Sequence, residues 1–301
     1  MITIGSLIKN TRKMRGFSQE ALSFGICSTG NLSRIERGDS APSRATFEAL
    51  MERMGQNAEL YPSFITDTDK RVYELQHDLN ELYAKGDFDA AEAVIDEMDG
   101  IDGLDMVHEH FIRVSRVLLI QQRGGVSEEV LRKFKEIIDF FVEKFSLDEI
   151  RRTPLSKTEL NILNAYAIAL YKAGDVKTGT QILYELIKWI EIHVVDMESI
   201  TVVYTKILYN LSMYVGRSGD DIEAIRLCDI GIRLCIKYHR NTYFPALLFN
   251  KGYGLVNLGK TDEAINYIQD SYYMQRALGE ETPGGLEVIK NFADRKGIKL
   301  I

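Results

Sequence analysis

Apolar residues recur every three to four positions along most of the chain, and strictly alternating strand patterns are scarce, so helices are predicted nearly throughout. The first such segments are short. Ile4, Leu7, Ile8, Thr11 and Met14 share one face of a helix over 4–15, with Lys9, Arg12 and Lys13 turned elsewhere. Gly16 stops it, Ser18 is placed to cap a second helix, and Gln19 to Leu22 carry that helix toward Gly25. Ser28 caps a third over 29–37, with Leu32 and Ile35 inward and Gly38 as its stop, and Pro42-Ser43 opens a fourth over 44–54. Short helices with two of them divided by a tight turn form the helix-turn-helix pattern.

Residues 55–68, GQNAELYPSFITDT, lose the helical period and contain Pro62, which predicts a connection. From Asp69 to Lys85 the period resumes, and the chain then repeats itself. YAKGDFDAAEAVI, YKAGDVKTGTQIL, VGRSGDDIEAIRLC and LVNLGKTDEAINYI are turns centred on Gly86, Gly174, Gly219 and Gly259, and QQRGGVSEEVLRKF at Gly124-Gly125 fills the long first gap. Each turn joins two amphipathic helices, which makes the unit a helix hairpin repeated about five times. In the last unit Gly252, Leu255, Gly259, Ala264 and Ile268 stand where tetratricopeptide-like repeats place small and apolar packing residues. The predicted fold is all-α: a helix-turn-helix domain over 1–60, a linker over 61–68, and an α-solenoid of tetratricopeptide-like hairpins over 69–301.

Charge sharpens the division. The chain carries −7 overall, yet residues 1–55 hold +3 and the remainder −10, which suits a small domain that meets phosphates and a larger one that avoids them. The three cysteines, Cys27, Cys228 and Cys235, form no pair motif and read as small core residues in a reducing compartment. There is no secretory leader pattern and no run of about 18 apolar residues, so a cytoplasmic protein without a membrane partner is expected.

The segments FSQEALSFGI and CSTGNLSRIERGDSAPS resemble the XRE/Cro-type helix-turn-helix family in the SQEALS helix, the LSRIERG ending of the next helix and the PS entry to the one after. The resemblance implies that the start of the third helix enters the major groove of double-stranded operator DNA. Ser28, Thr29, Gly30, Asn31 and Arg34 are then aimed at base edges, with Arg34 suited to a bidentate contact with guanine. Ser18 and Gln19 open the second helix, where Gln19 can reach a phosphate or a base edge, and Arg12, Arg37 and Arg44 are expected phosphate contacts. Gly30 departs from the longer polar residue common at its position, so one base is read by shape or not at all. Glu36 is expected to be structural, bonding locally or to a neighbouring arginine, rather than a base reader. One such head reads few base pairs, which implies a homodimer on paired half-sites.

In the repeats, Asn164, Asn210 and Asn250 fall nine or ten residues before their turn glycines. An amide both donates and accepts, so a ladder of asparagines on the first helices can hold a peptide backbone whatever its side chains. Arg116 takes the equivalent place in an earlier repeat, with Arg113 one turn before it, fit for a carboxylate. Tyr204, Lys206 and Tyr243 are further groove candidates. A helix-turn-helix head followed by degenerate tetratricopeptide-like repeats in about 300 residues resembles the RRNPP group of quorum-sensing regulators, its PlcR-like and Rgg-like members in particular; the matching positions are Asn164 in LNAYAIALYKAGD and Asn210 in LYNLSMYVGRSGD. That resemblance implies a transcription regulator governed by a short signalling peptide in the concave groove. The rival reading is a repressor whose repeats dock a protein partner or serve oligomerisation alone.

Other signals carry little. His108-Glu109-His110 puts two histidines on different sides of a helix with no third ligand in pattern, so no metal is expected. Gly252-Tyr253-Gly254 follows no strand and fits helix packing better than a dinucleotide loop. No catalytic set converges, and neither an enzyme nor a cofactor is predicted.

Overall fold

The computed structural model describes residues 4–56, 58, 67–142, 145–194, 196–278 and 285–300, and within them it contains sixteen helices. They gather into two compact units, Met1–Val176 with His193–Asp196, and Lys177–Ile192 with Met197–Ile301. Residues 61–66 of the expected linker lie outside the described residues.

The first unit opens with α1 (Ile4–Met14), α2 (Gln19–Ser23), α3 (Thr29–Arg37) and α4 (Arg44–Arg53). The predicted caps do their work: the Ser18, Ser28 and Ser43 hydroxyls accept from the backbone N–H groups of Ala21, Asn31 and Thr46, and Gly38 ends α3 in the left-handed conformation. The second helix stops at Ser23, two residues before Gly25, and Cys27 lies in the turn that follows. Ile8, Leu22, Ile26, Leu32, Ile35, Phe47, Leu50 and Met51 form the core of this head. Burial of such side chains supplies the cohesion that helices of five to eleven residues lack alone. Gly5 permits the close crossing of α1 on α3, since a Cβ there would lie 1.9 Å from the Ile35 carbonyl oxygen.

Behind the head, α5 (Asp67–Lys85) pairs with α6 (Phe88–Asp99) and α7 (Met106–Gly124) with α8 (Glu128–Ile138), before the short α9 (Leu147–Arg152) and then α10 (Lys157–Lys172). The head is fastened to them. Asp105, the N-cap of α7, accepts hydrogen bonds from the Ser43 and Thr46 hydroxyls of α4, and Arg53 forms a buried ion pair with Glu159 of α10. Val107 closes the edge of the head core.

The second unit contains most of α11 (Val176–His193), then α12 (Met197–Arg217), α13 (Asp221–Lys237), α14 (Phe244–Asn257), α15 (Thr261–Leu278) and α16 (Gly285–Lys296). The hairpins α12–α13 and α14–α15 stack, and α16 packs on α15. The predicted turn glycines Gly86, Gly125, Gly174, Gly219 and Gly259 have positive φ, between 72° and 96°, while Gly124 is the last residue of α7. Gly252 is a packing residue as expected: a Cβ there would come within 2.6 Å of Ile268. Cys228 and Cys235 are buried, and all three cysteines are free.

Candidate DNA-reading head and ligand cavity

The exposed N-terminal turn of α3 presents Ser28, Thr29 and Gly30 to solvent, with Asn31 half-buried behind them. Space around Gly30 is open, so its missing side chain leaves a gap in that surface. One turn further, Arg34 is exposed and, among the described residues, takes no hydrogen bond or ion pair, which keeps its five donors available. Thr29 is steadied by a 3.2 Å hydroxyl contact with Ser23. Arg37 remains exposed but is braced by Asp39 at 2.7 Å and Ser33 at 2.8 Å, and Arg44 pairs with Glu48 along α4. The Ser18 hydroxyl is exposed at the start of α2 while it caps that helix.

Arg12 requires a correction. Its guanidinium is buried between α1 and α3, with both ends on the Glu36 carboxylate at 2.5 and 2.9 Å and a third bond to the Phe17 carbonyl at 2.8 Å. It is an internal tie rather than an open phosphate contact. Gln19 joins the same group, donating to Glu36 at 2.8 Å. Burial works against charge on Glu36, but the hydrogen bonds of Arg12 and Gln19 and the charges of Arg12 and Lys9 outweigh it and hold the carboxyl below its usual range. The cluster fixes α1, α2 and α3 in one arrangement, with Glu36 bound to an arginine, though one 24 residues away in sequence.

The expected groove residues part company. In the first unit, Arg113 lies over the Phe140 ring at 5.1 Å and pairs with Glu109. Arg116 is held by Asp96 at 2.7 Å and Asp99 at 2.8 Å, one rung of an ion-pair ladder between α7 and α6 that Arg123, Asp89 and Glu92 continue. Its charge is thus answered by the second helix of its own neighbourhood. Asn164 is completely buried in α10.

In the second unit Asn210 is likewise almost wholly buried, and Tyr204 points back to α11, its hydroxyl donating to Glu191 at 2.8 Å. Lys206 is half-buried, and burial pushes its ammonium pKa down. The two remaining residues meet at a cavity. Asn250 and Tyr243 line a space of about 650 Å³ among α12, α14 and α16, walled by Tyr209, Met213, Phe249, Tyr253 and Phe292. Asn250 donates to the Tyr209 carbonyl at 3.3 Å and to the Ser212 hydroxyl at 3.0 Å, while Tyr209 and Tyr243 stack with centroids 5.8 Å apart. Phe292 faces both Phe249 and Tyr253, at 5.5 and 5.1 Å.

Sequence reasoning missed most of this cavity, including Arg217 and Arg295. A signal existed in the apolar and aromatic residues at 249, 253, 288, 289 and 292, which share helix faces, but the placement of α16 depends on how it folds over α15.

Among the described residues there is no group of three or more His, Cys, Asp or Glu side chains able to hold a metal, and no helix is long and apolar enough to cross a membrane. His108 is buried against Asp105.

Comparison with known proteins accords with this geometry. Residues 8–59 match the helix-turn-helix family. No curated protein sequence matches the chain. Among solved structures, Bacillus thuringiensis PlcR in complex with the peptide PapR7 and DNA aligns at a TM-score of 0.62 and 18% identity, over 93% of this chain and 96% of that one. The same protein in its apo form gives 0.61 and 16%, over 97% and 99%. ComR from S. thermophilus, in complex with DNA and its signalling peptide, gives 0.56 and 18%, over 98% and 100%. Residues 8–59 therefore form a head of the helix-turn-helix family, and the chain shares along nearly its whole length the fold of PlcR and ComR.

Proposed function

We propose that this chain is a cytoplasmic transcription regulator that binds operator DNA as a homodimer through the N-terminal turn of α3 and is controlled by a short signalling peptide held against the first helices of its repeats. The exposed, unengaged Arg34 beside Ser28, Thr29 and Asn31 carries the DNA-reading part. An arginine in that position matches the paired acceptors of guanine in the major groove, and the braced Arg37 and Arg44 suit flanking phosphates. The peptide part draws on the cavity between α12, α14 and α16, whose concave aromatic walls with a few polar groups are what small-ligand sites offer. It also draws on the shared fold with PlcR and ComR, both solved with DNA and a peptide. Asn250 and Tyr243, both groove candidates in the sequence, are the proposed contacts.

Selection of bound duplexes from a random-sequence pool tests the DNA reading. The full chain should enrich a motif containing a fixed G·C pair, and Arg34→Ala should relax that one position at a cost of about 1–3 kcal/mol. Equal loss of affinity on every sequence would place the reading surface elsewhere.

A further inference from the structure

The cavity of the second unit has a charge pattern that aromatic packing does not require. Among the described residues its walls contain two arginines, Arg217 at the end of α12 and Arg295 at the end of α16, against a single carboxylate, Asp221. Asp221 is already occupied, accepting from the Asn257 amide at 3.0 Å. Arg295 uses its Nε on the Asn291 carbonyl at 3.0 Å, which leaves its two terminal nitrogens open, and Arg217 takes no hydrogen bond or ion pair among the described residues. The positive charge of Arg217 is felt at the Tyr209 hydroxyl, where burial raises the pKa and Arg217 opposes the rise. Several other exposed arginines are answered by acids, Arg71 by Glu97, Arg116 by Asp96 and Asp99, Arg123 by Glu92, and Arg226 by Glu223, whereas Arg34 of the head, like Arg217, is left open. Two cations at one aromatic cavity that have no acidic partner among the described residues leave room for an anion there.

We infer that this cavity binds the C-terminal end of the ligand peptide, with the free carboxylate on Arg217 and Arg295 and a large apolar final side chain against Phe249, Tyr253 and Phe292. The inference rests on the peptide reading above and adds an orientation and a chemical class to it. Guanidinium groups bind carboxylates through paired N–H donors, and a flanking aromatic wall strengthens the contact by excluding water. At about 650 Å³ the cavity suits the last few residues of a peptide and is too small for a folded partner. An internal acidic side chain satisfies the arginines less well, because its own backbone continues past it into the aromatic wall.

The test uses the full chain and two pools of synthetic random heptapeptides, alike except that one ends in a free carboxylate and the other in an amide. Peptides that co-elute with the protein on size exclusion are counted by mass spectrometry. The free-acid pool should be retained at least about tenfold better, as expected for charge-assisted bonds, and the retained sequences should end in Phe, Tyr, Trp, Leu, Ile or Met. Arg217→Gln combined with Arg295→Gln should bring the acid-to-amide ratio close to one with an unchanged helical signal in circular dichroism. Arg217→Lys, which keeps the charge and fold but not the paired donors, should give an intermediate ratio. Equal retention of both pools overturns the carboxylate anchor and leaves the peptide reading standing. A preference for acids that the arginine variants keep overturns the assignment to these side chains. Retention of neither pool, with DNA binding intact, overturns both.

Discussion

Replacing Arg12 by Met separates two roles that the sequence alone does not distinguish. In the structure the guanidinium is 11% exposed and faces a Glu36 side chain that is 2% exposed, so the substitution leaves a carboxylate buried with Gln19 as its remaining side-chain donor. Removing one member of a buried ion pair costs about 3–5 kcal/mol, and the surviving Gln19 bond places this case toward the lower figure. Against a domain stability of about 5–15 kcal/mol, a large drop in the urea midpoint follows. Adding Glu36→Leu should restore much of the loss, because a buried pair and an apolar replacement are often close in energy. Glu36 is held below its usual range in the folded head, so its contribution is complete above its unfolded pKa of about 4.3 and disappears as pH falls through the lower folded value. The acid-side fall in stability should therefore be shallower in the double variant. DNA affinity measured across a salt series in the cold, where the head stays folded, gives the other arm. If Arg12 held a phosphate, the slope of log K against log salt would flatten by about 0.9. The structure predicts an unchanged slope. An unchanged urea midpoint with a flattened slope would refute this reasoning and return Arg12 to the DNA surface.

Three further outcomes follow from the first unit. Asp105→Asn should loosen the head from α7, since the carboxylate accepts from Ser43, Thr46 and the α7 backbone. Hydrogen–deuterium exchange in α4 should rise, and stability should fall by about 1.5–3 kcal/mol, whereas unchanged exchange would show the joint to be passive. Burial, aided by the charge of Arg113, lowers the His110 imidazole to about 4. With an unfolded value of about 6.5, the unfolded chain binds the extra proton first, so stability should decline as pH drops from about 6.5 toward 4, and His110→Phe should remove that part of the slope. NMR titration of His110 near 6.5 would contradict it. Gly5→Ala gains about 1 kcal/mol of helix propensity but drives a Cβ against the Ile35 carbonyl, and the crowding, at about 1–3 kcal/mol or more, should win in a melting assay.

The head was legible because its signals are local: a serine cap, a glycine stop and the apolar period each act within a few residues, and α3 runs over the predicted 29–37. The turn glycines of the repeats were legible for the same reason. What failed was anything that depends on a distant partner. Arg12 sits on a basic-looking flank, and nothing near it in sequence announces that Glu36, 24 residues on, closes over it. Regular spacing found Asn164, Asn210 and Asn250, but a period reports register along a helix and not which neighbour the side chain meets. Asn164 proved interior, while Asn250 reached a cavity wall. Arg116 looked free because its acids lie on α6, 17 and 20 residues earlier.

The central claim, that a peptide in the repeats governs DNA binding by the head, is met most directly by titrating a fluorescent fragment of the chain's own promoter with full-length protein at fixed salt. The titration is run with and without the low-mass peptide fraction of spent culture medium. A ligand shifts such an equilibrium only by its difference in affinity between the two states. The account predicts a shift in apparent Kd or complex mobility that protease treatment of the fraction abolishes. Tight, salt-dependent DNA binding that no peptide fraction alters would contradict it, and would assign the repeats to a protein partner or to assembly.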